Sequence, residues 1–260
     1  MLSRILSNFP ATELGGAVFA DVEGANVVGY NTQTLNDGLT GSVAAFQGVN
    51  NSENLPISAL TPVSASLVSE AISIQTLDTF GVMAKTYLYI TDKDYGDYGL
   101  ETPGWIDMDQ YGEGVLADKE FEPGEGYLAV NSLADGKLTS AGEVAKGATL
   151  VPLKDGLTTM GNILPTTMDV QALVPVSESL VSEAVSIQTL DNFGVMAKTY
   201  LYITEKDYGD YGLETPGWID MDQYGEGVLA EKVFDPSEGF LAVNSLADAQ
   251  LKFPAVIPAE

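Results

Sequence analysis

The run KDYGDYGLETPGWIDMDQYGEGVLA occurs twice in this 260-residue chain, letter for letter, from Lys93 to Ala117 and again from Lys206 to Ala230. It is the centre of a longer match: residues 62–135 align without a gap to residues 175–248, and nine of the 74 pairs differ. Upstream, Asn36-Asp37-Gly38-Leu39-Thr40 answers Lys154-Asp155-Gly156-Leu157-Thr158, and LPISALTPVS answers MDVQALVPVS. The first copy carries a longer loop between these blocks, around residues 48–52. A unit of about 115 residues is well beyond the roughly 20–50 residues of a solenoid or propeller repeat, so each copy reads as a whole domain. The expected organisation is an N-terminal segment, 1–20, a first β domain, 21–142, and a duplicate, 143–260. LTSAGEVAK, from Leu138 to Lys146, is the expected junction.

Within a copy the pattern has the period of a strand. Ala71-Ile72-Ser73-Ile74-Gln75-Thr76-Leu77 alternates apolar and polar residues up to Asp78, with Gly81 close behind. Thr86-Tyr87-Leu88-Tyr89-Ile90-Thr91 puts Tyr87 and Tyr89 on one face and Leu88 and Ile90 on the other. Trp105–Asp109 and Tyr127–Val130 alternate similarly, Val115-Leu116 reads as strand, and Pro123-Gly124 punctuates a turn. Short strands separated by Gly, Pro and Asp predict an all-β fold of two tandem sandwich or barrel-like units. Helix is expected only as one turn near Asp169–Leu173. The changes Ile72 to Val185 and Tyr127 to Phe240 fit core positions that need bulk.

Composition excludes several functions. The chain has no Cys and no His, so disulfides and thiolate sites are impossible, and the commonest general base and transition-metal ligand are missing. A formal charge of -26 repels phosphate backbones and anionic lipid, so nucleic acid is not an expected partner. No run reaches the roughly 20 apolar residues of a membrane span. At the N-terminus, Leu2, Ile5, Leu6 and Phe9 share one helical face before Pro10, while Val18-Phe19-Ala20 resembles a signal-peptidase site before Asp21. Either a removed leader or a retained arm, with Val18 and Phe19 leading into a β-prone run, fits this segment.

Charge gathers in the two long copies, which hold 28 of the 37 acidic residues. Asp107-x-Asp109-x-Tyr111-Gly112, with Asp118 at the twelfth place, has the outline of a calcium loop, answered by Asp220, Asp222, Gly225 and Glu231. Its surroundings read as strand, so the helices that normally flank such a loop are not expected. An irregular calcium site drawn from Asp92, Asp94, Asp97, Asp107, Asp109 and Glu113, with Asp220, Asp222 and Glu226 in the duplicate, is the metal candidate. No cofactor is otherwise required, and the competing reading is a solvated acidic face. Trp105 and Tyr111, with Trp218 and Tyr224, are candidates for a polysaccharide platform, against which stands the ordinary role of tryptophan as a core plug. Asp107 and Asp109, two apart on a strand, come near the carboxylate spacing of an inverting glycosidase, but no third group or cleft accompanies them. The chain is not expected to be an enzyme.

The segment Phe19-Ala20-Asp21-Val22-Glu23-Gly24-Ala25-Asn26-Val27-Val28-Gly29-Tyr30 resembles the mature start of a group of uncharacterised secreted bacterial β-rich proteins. The likeness continues at Ile74-Gln75-Thr76-Leu77-Asp78, Gly104-Trp105, Phe121-Glu122-Pro123-Gly124-Glu125-Gly126-Tyr127 and Gly161-Asn162, and departs at Ser237. The resemblance implies export and brings no activity. Together these features lead to an expected extracellular or cell-surface structural protein: a filament, sheath or matrix built from copies of itself. Near-identical domains would meet head to tail, and the arm would be lent to a neighbour's sheet. A secreted tandem carbohydrate-binding module is the alternative.

Overall fold

The computed structural model describes residues 28–43, 54–144, 147–164, 166–191 and 193–254. The expected arm residues Leu2, Ile5, Leu6, Phe9, Val18 and Phe19 lie outside them. The first half contains β1 (Val28–Thr34), β2 (Gly38–Val43), β3 (Leu55–Pro56), β4 (Leu60–Val63), β5 (Ile72–Leu77), β6 (Met83–Ile90), β7 (Gly104–Asp107), β8 (Glu120–Phe121), β9 (Gly126–Asn131) and β10 (Lys137–Glu143). The second contains β11 (Thr149–Pro152), β12 (Gly156–Gly161), β13 (Met168–Asp169), β14 (Val174–Val176), β15 (Val185–Leu190), β16 (Met196–Ile203), β17 (Gly217–Asp220), β18 (Val233–Phe234), β19 (Gly239–Asn244) and β20 (Gln250–Phe253). The protein is all-β, as its alternation implies.

Each half repeats one plan. A five-stranded sheet, β2-β9-β5-β6-β7, accompanies a three-stranded sheet, β1-β10-β4, and a two-stranded ribbon, β3-β8; the second half has β12-β19-β15-β16-β17, β11-β20-β14 and β13-β18. The expected faces form. Ile72, Ile74, Tyr87, Trp105, Tyr127 and Ala129 enter the core with Leu55, Ile57, Leu60, Phe121 and Leu138, while Leu88, Ile90 and Ile106 meet Leu100, Tyr95 and Tyr98 on the other side. The turn expected near Asp169 is a 3-10 helix, Val170–Ala172, with the Asp169 carboxylate accepting from the Gln171 amide. Three local expectations fail. Helical turns are not confined to the stretch near Asp169, because 3-10 turns also form at Ile57–Ala59, Tyr95–Tyr98, Met108–Gln110, Tyr208–Tyr211 and Met221–Gln223. The supposed junction from Leu138 continues as β10 to Glu143, because its residues ladder with both β1 and β4. Val115 and Leu116 have no ladder partner and stand 43% and 44% exposed, the segment being tied instead by Ala117 donating to the Trp105 carbonyl (2.8 Å).

One hydrophobic cluster runs through both halves, joining Leu35, Val43 and Val144 to Val151, Leu153, Met160 and Ile163. The halves meet where β2 and β9 face β12 and β19, and glycine makes the approach possible. A Cβ on Gly239 would lie 2.3 Å from the Ser42 nitrogen and 2.4 Å from the Gly41 carbonyl carbon. A Cβ on Gly126 would lie 2.5 Å from the Met160 nitrogen and 2.6 Å from the Thr159 carbonyl carbon. These contacts are reciprocal, since the ladders pair Ser42 with Tyr127 and Met160 with Phe240, making Ser42 and Met160 equivalents. The same reciprocity places Gly81 against Leu157 and Gly194 against Leu39. Residue i of one half touches j of the other, and j touches i, which is the rule of a twofold, self-complementary contact. The head-to-tail contact expected from sequence is therefore not the one within the chain: this one closes on itself.

Small asymmetries fit the halves together. Ser237, where the second copy loses its glycine, keeps a left-handed backbone (φ 62) and is 2% exposed; its hydroxyl accepts from Asn31 Nδ2 at 2.7 Å. Its counterpart Gly124 must stay a glycine for a different reason, because a Cβ there would lie 2.8 Å from the Val151 side chain. The change from Tyr127 to Phe240 is also matched across the ladder, where Ser42 becomes Met160 and a polar pair becomes an apolar one.

Alanine at Gly239 should lower the melting temperature by the equivalent of at least the about 1–3 kcal/mol typical of overpacking, because the obstruction is backbone. Alanine at Gly96, whose Cβ would meet nothing within 4 Å, should cost nothing. Thermal melts of the two variants check this, and equal melting temperatures would remove the interface described above.

Candidate functional site

The loops that close one end of each five-stranded sheet bring together residues distant in sequence. Glu70 lies just before β5, Tyr98 in the 3-10 turn Tyr95–Tyr98 after β6, and Tyr111 just after the 3-10 turn Met108–Gln110 that follows β7. Glu70 Oε1 accepts from both tyrosine hydroxyls, at 2.8 Å and 3.0 Å, and the rings meet edge to face with centroids 5.8 Å apart. The duplicate repeats this with Glu183, Tyr211 and Tyr224, at 2.7 Å and 2.8 Å. Both glutamates have left-handed backbones, φ 65 and 66, a conformation that costs a non-glycine residue free energy. The carboxylate holds the neutral phenols: hydrogen bonding to Glu70 raises the pKa of Tyr98 and Tyr111 above the ordinary tyrosine range, and Glu183 does the same for Tyr211 and Tyr224.

Beside this group, Asp94 accepts from the Ser69 hydroxyl and from the Thr91 hydroxyl (2.9 Å). Those bonds, Ser69 first, lower its pKa; Asp207 is held likewise by Ser182 and Thr204. Among the described residues the serines have no basic partner, and they serve as donors to the acid.

The calcium candidates are arranged differently from the expectation. Asp107 ends β7, but Asp109 lies in the 3-10 turn Met108–Gln110, because the Asp107 side chain accepts from the Asp109 amide (3.0 Å) and turns the chain. Lys85, two positions before Tyr87 on β6, reaches across and donates to Asp107 Oδ2 (3.0 Å) and to Asp109 Oδ2. Lys198 repeats this with Asp220 (3.0 Å) and Asp222 (2.5 Å). An ammonium thus sits where the two carboxylates converge, and its pKa is raised, chiefly by Asp109 and then Asp107. Glu113 and Glu226 are exposed and add no third ligand: among the described residues no group of three or more acidic side chains could hold a metal.

The proposed sugar platform loses its indoles. Trp105 and Trp218 are 2% and 0% exposed; their Nε1 groups donate to the carbonyls of Leu60 (2.7 Å) and Leu173 (2.8 Å), and Tyr89 and Tyr202 pack edge-on against them. The tryptophan follows the inward alternation of β7, opposite Tyr89, and plugs the core. Tyr111 and Tyr224, each 53% exposed, remain at the surface beside Glu70 and Glu183.

Two groups escaped sequence reading. The partners of Glu70 lie 28 and 41 residues away, and no local spacing announces them. Phe80 and Phe193, 87% and 81% exposed at the β5–β6 and β15–β16 turns, had one signal: FGVMA is unchanged between copies although the preceding residue differs.

Removing the acceptor with Glu70→Ala and Glu183→Ala should bring the tyrosine ionisation of the folded protein to lower pH, read by ultraviolet difference titration. Because the native pKa values are raised, the bond's stability is complete below the ordinary tyrosine pKa near 10 and is lost as pH rises through the native values. The wild type should therefore lose stability, relative to this variant, only on the alkaline side. Separately, millimolar calcium should leave the wild-type melting temperature unchanged and raise that of Lys85→Met/Lys198→Met, in which the carboxylates lose their ammonium. A wild-type rise that a chelator reverses would contradict this geometry.

Among the described residues no helix is long and apolar enough to cross a membrane. No protein-family model matches the chain, and no curated protein is significantly similar to it.

Proposed function

We propose that this chain is a non-catalytic structural protein, exported to the cell exterior or surface, where copies of it assemble into a filament, sheath or matrix. The observation that carries the reading is the twofold contact between its halves. It makes the chain a pair that presents its sheet-end loops and hairpin tips twice, and a bivalent subunit is the minimum needed for open-ended growth. Because that internal contact closes on itself, growth proceeds through outward surfaces and not through a repeat of it.

The chemistry of the loops supports the same reading. The acidic groups at the sheet ends are engaged by the chain's own tyrosines, serines, threonines and lysines, as befits a surface built to hold its shape. Export rests on the resemblance to secreted β-rich proteins. The carbohydrate-binding alternative retains Tyr111 and Tyr224 without the indole faces that favoured it.

Negative-stain electron microscopy of the full chain at rising concentration should show ordered polymers. A protein that stays monodisperse at every concentration and salt, yet releases heat when titrated with polysaccharide, would replace this reading with the carbohydrate-binding one.

A further inference from the structure

The β5–β6 turn is a rigid apolar point. Asp78 Oδ1 accepts from the amides of both Phe80 and Val82, each at 2.9 Å; the Asp78 amide donates to the Val82 carbonyl (2.9 Å), and Gly81 supplies the left-handed residue, φ 78. The result projects Phe80, Val82 and Met83 into solvent, 87%, 61% and 54% exposed. The second half builds the same turn with Asp191 and Gly194 and projects Phe193, Val195 and Met196, 81%, 60% and 54% exposed. An aromatic side chain left in water on a preorganised loop is the usual form of a binding anchor, since little conformational freedom remains to be lost.

These tips continue the interface between the halves. The Thr79 carbonyl accepts from the Leu157 amide (3.0 Å), Gly81 lies against Leu157, and Gly194 lies against Leu39. Each tip is braced on the opposite half, so the two move with one rigid body. They are also free of charge: residues 79–84 and 192–197 contain no ionisable side chain, in a chain of net charge -26. Copies of so acidic a chain repel one another on average, and an uncharged tip that carries the most exposed aromatic side chain of its half can touch a second copy at low electrostatic cost.

We propose that the occupant of each tip is a tip of a second copy, the two tips being interchangeable, so that Phe80 or Phe193 packs with the phenylalanine, valine and methionine of either tip across the junction. The inference rests on the self-assembly reading and names its contact. With two tips braced on one body, a chain that pairs at both ends continues into an open row. One tip pair is small beside the roughly 1,600 Å² of a standard interface, so a single junction is weak and growth needs concentrated protein. Salt strengthens it, because screening removes the repulsion between acidic neighbours and leaves the apolar contact.

The test is sedimentation velocity on the full chain, from low salt to about 0.5 M sodium chloride, where the Debye length is a few ångströms. The wild type should form species of increasing size, more so at high salt. Phe80→Ser or Phe193→Ser alone should stop at twice the monomer mass, and the double variant should remain monomeric with an unchanged thermal melt. Val82→Lys/Val195→Lys should also stay monomeric, by bringing charge to the contact. Polymerisation of both double variants at the wild-type level would overturn the tips as the contact and leave self-assembly standing. A wild type that never associates would overturn both, and association that weakens with salt would overturn the tips as the contact, because side chains without charge are not held together by charge attraction.

Discussion

Two close backbone approaches between the halves, Gly239 against Gly41 and Ser42, and Gly126 against Thr159 and Met160, govern the arrangement of this molecule. A side chain at either glycine would push the sheets apart, and the core that runs from Leu35 and Val43 into Val151 and Met160 would open with them. Because the contacts are reciprocal, the duplicated chain behaves as a dimer fused into one polypeptide. Fusion has allowed its halves to diverge where they touch: Ser237 now meets Asn31, while Gly124 makes room for Val151.

The second governing fact is how a chain of net charge -26 places its acids. Many are given a donor from their own chain. Asp78 and Asp191 hold turn amides, Asp94 and Asp207 hold hydroxyls, Asp107 and Asp220 share lysines with their neighbours, and Glu70 and Glu183 each gather two tyrosines. Exposed ion pairs and hydrogen bonds of this kind are individually weak, because solvent screens them and competes for their donors. Their effect is to fix loop shape. An acidic surface organised this way resists association with other acids.

Much of the fold could be read from residues alone, for a physical reason: duplication and period-two alternation are local properties. The faces of β5, β6 and β9 and the 3-10 turn at Val170–Ala172 followed directly, whereas the other 3-10 turns did not. The sites were less legible because they are made by register. Lys85 meets Asp107 only because β6 and β7 pair antiparallel, and that one ammonium changes the meaning of two carboxylates that look like metal ligands in isolation. Trp105 looked available to a sugar until its register opposite Tyr89 placed it on the inner face. Alternation alone puts Asp109 on the strand of Asp107, yet the Asp109 amide donates to the Asp107 carboxylate and curls the chain after β7. The reciprocal contact between the halves has no sequence signal of its own, since glycine at Gly126 and Gly239 reads equally well as turn punctuation.

The twofold contact can be tested directly by covalent capture, and the absence of native cysteine makes the readout clean. Ser42 and Glu238 face each other as an isolated antiparallel bridge between the halves. Cysteines placed at both positions should oxidise within one chain, because bridged partners lie at disulfide distance. Peptide mapping that finds residues 42 and 238 linked in a monomer would support the closed pair; free thiols, or links only between chains, would contradict it.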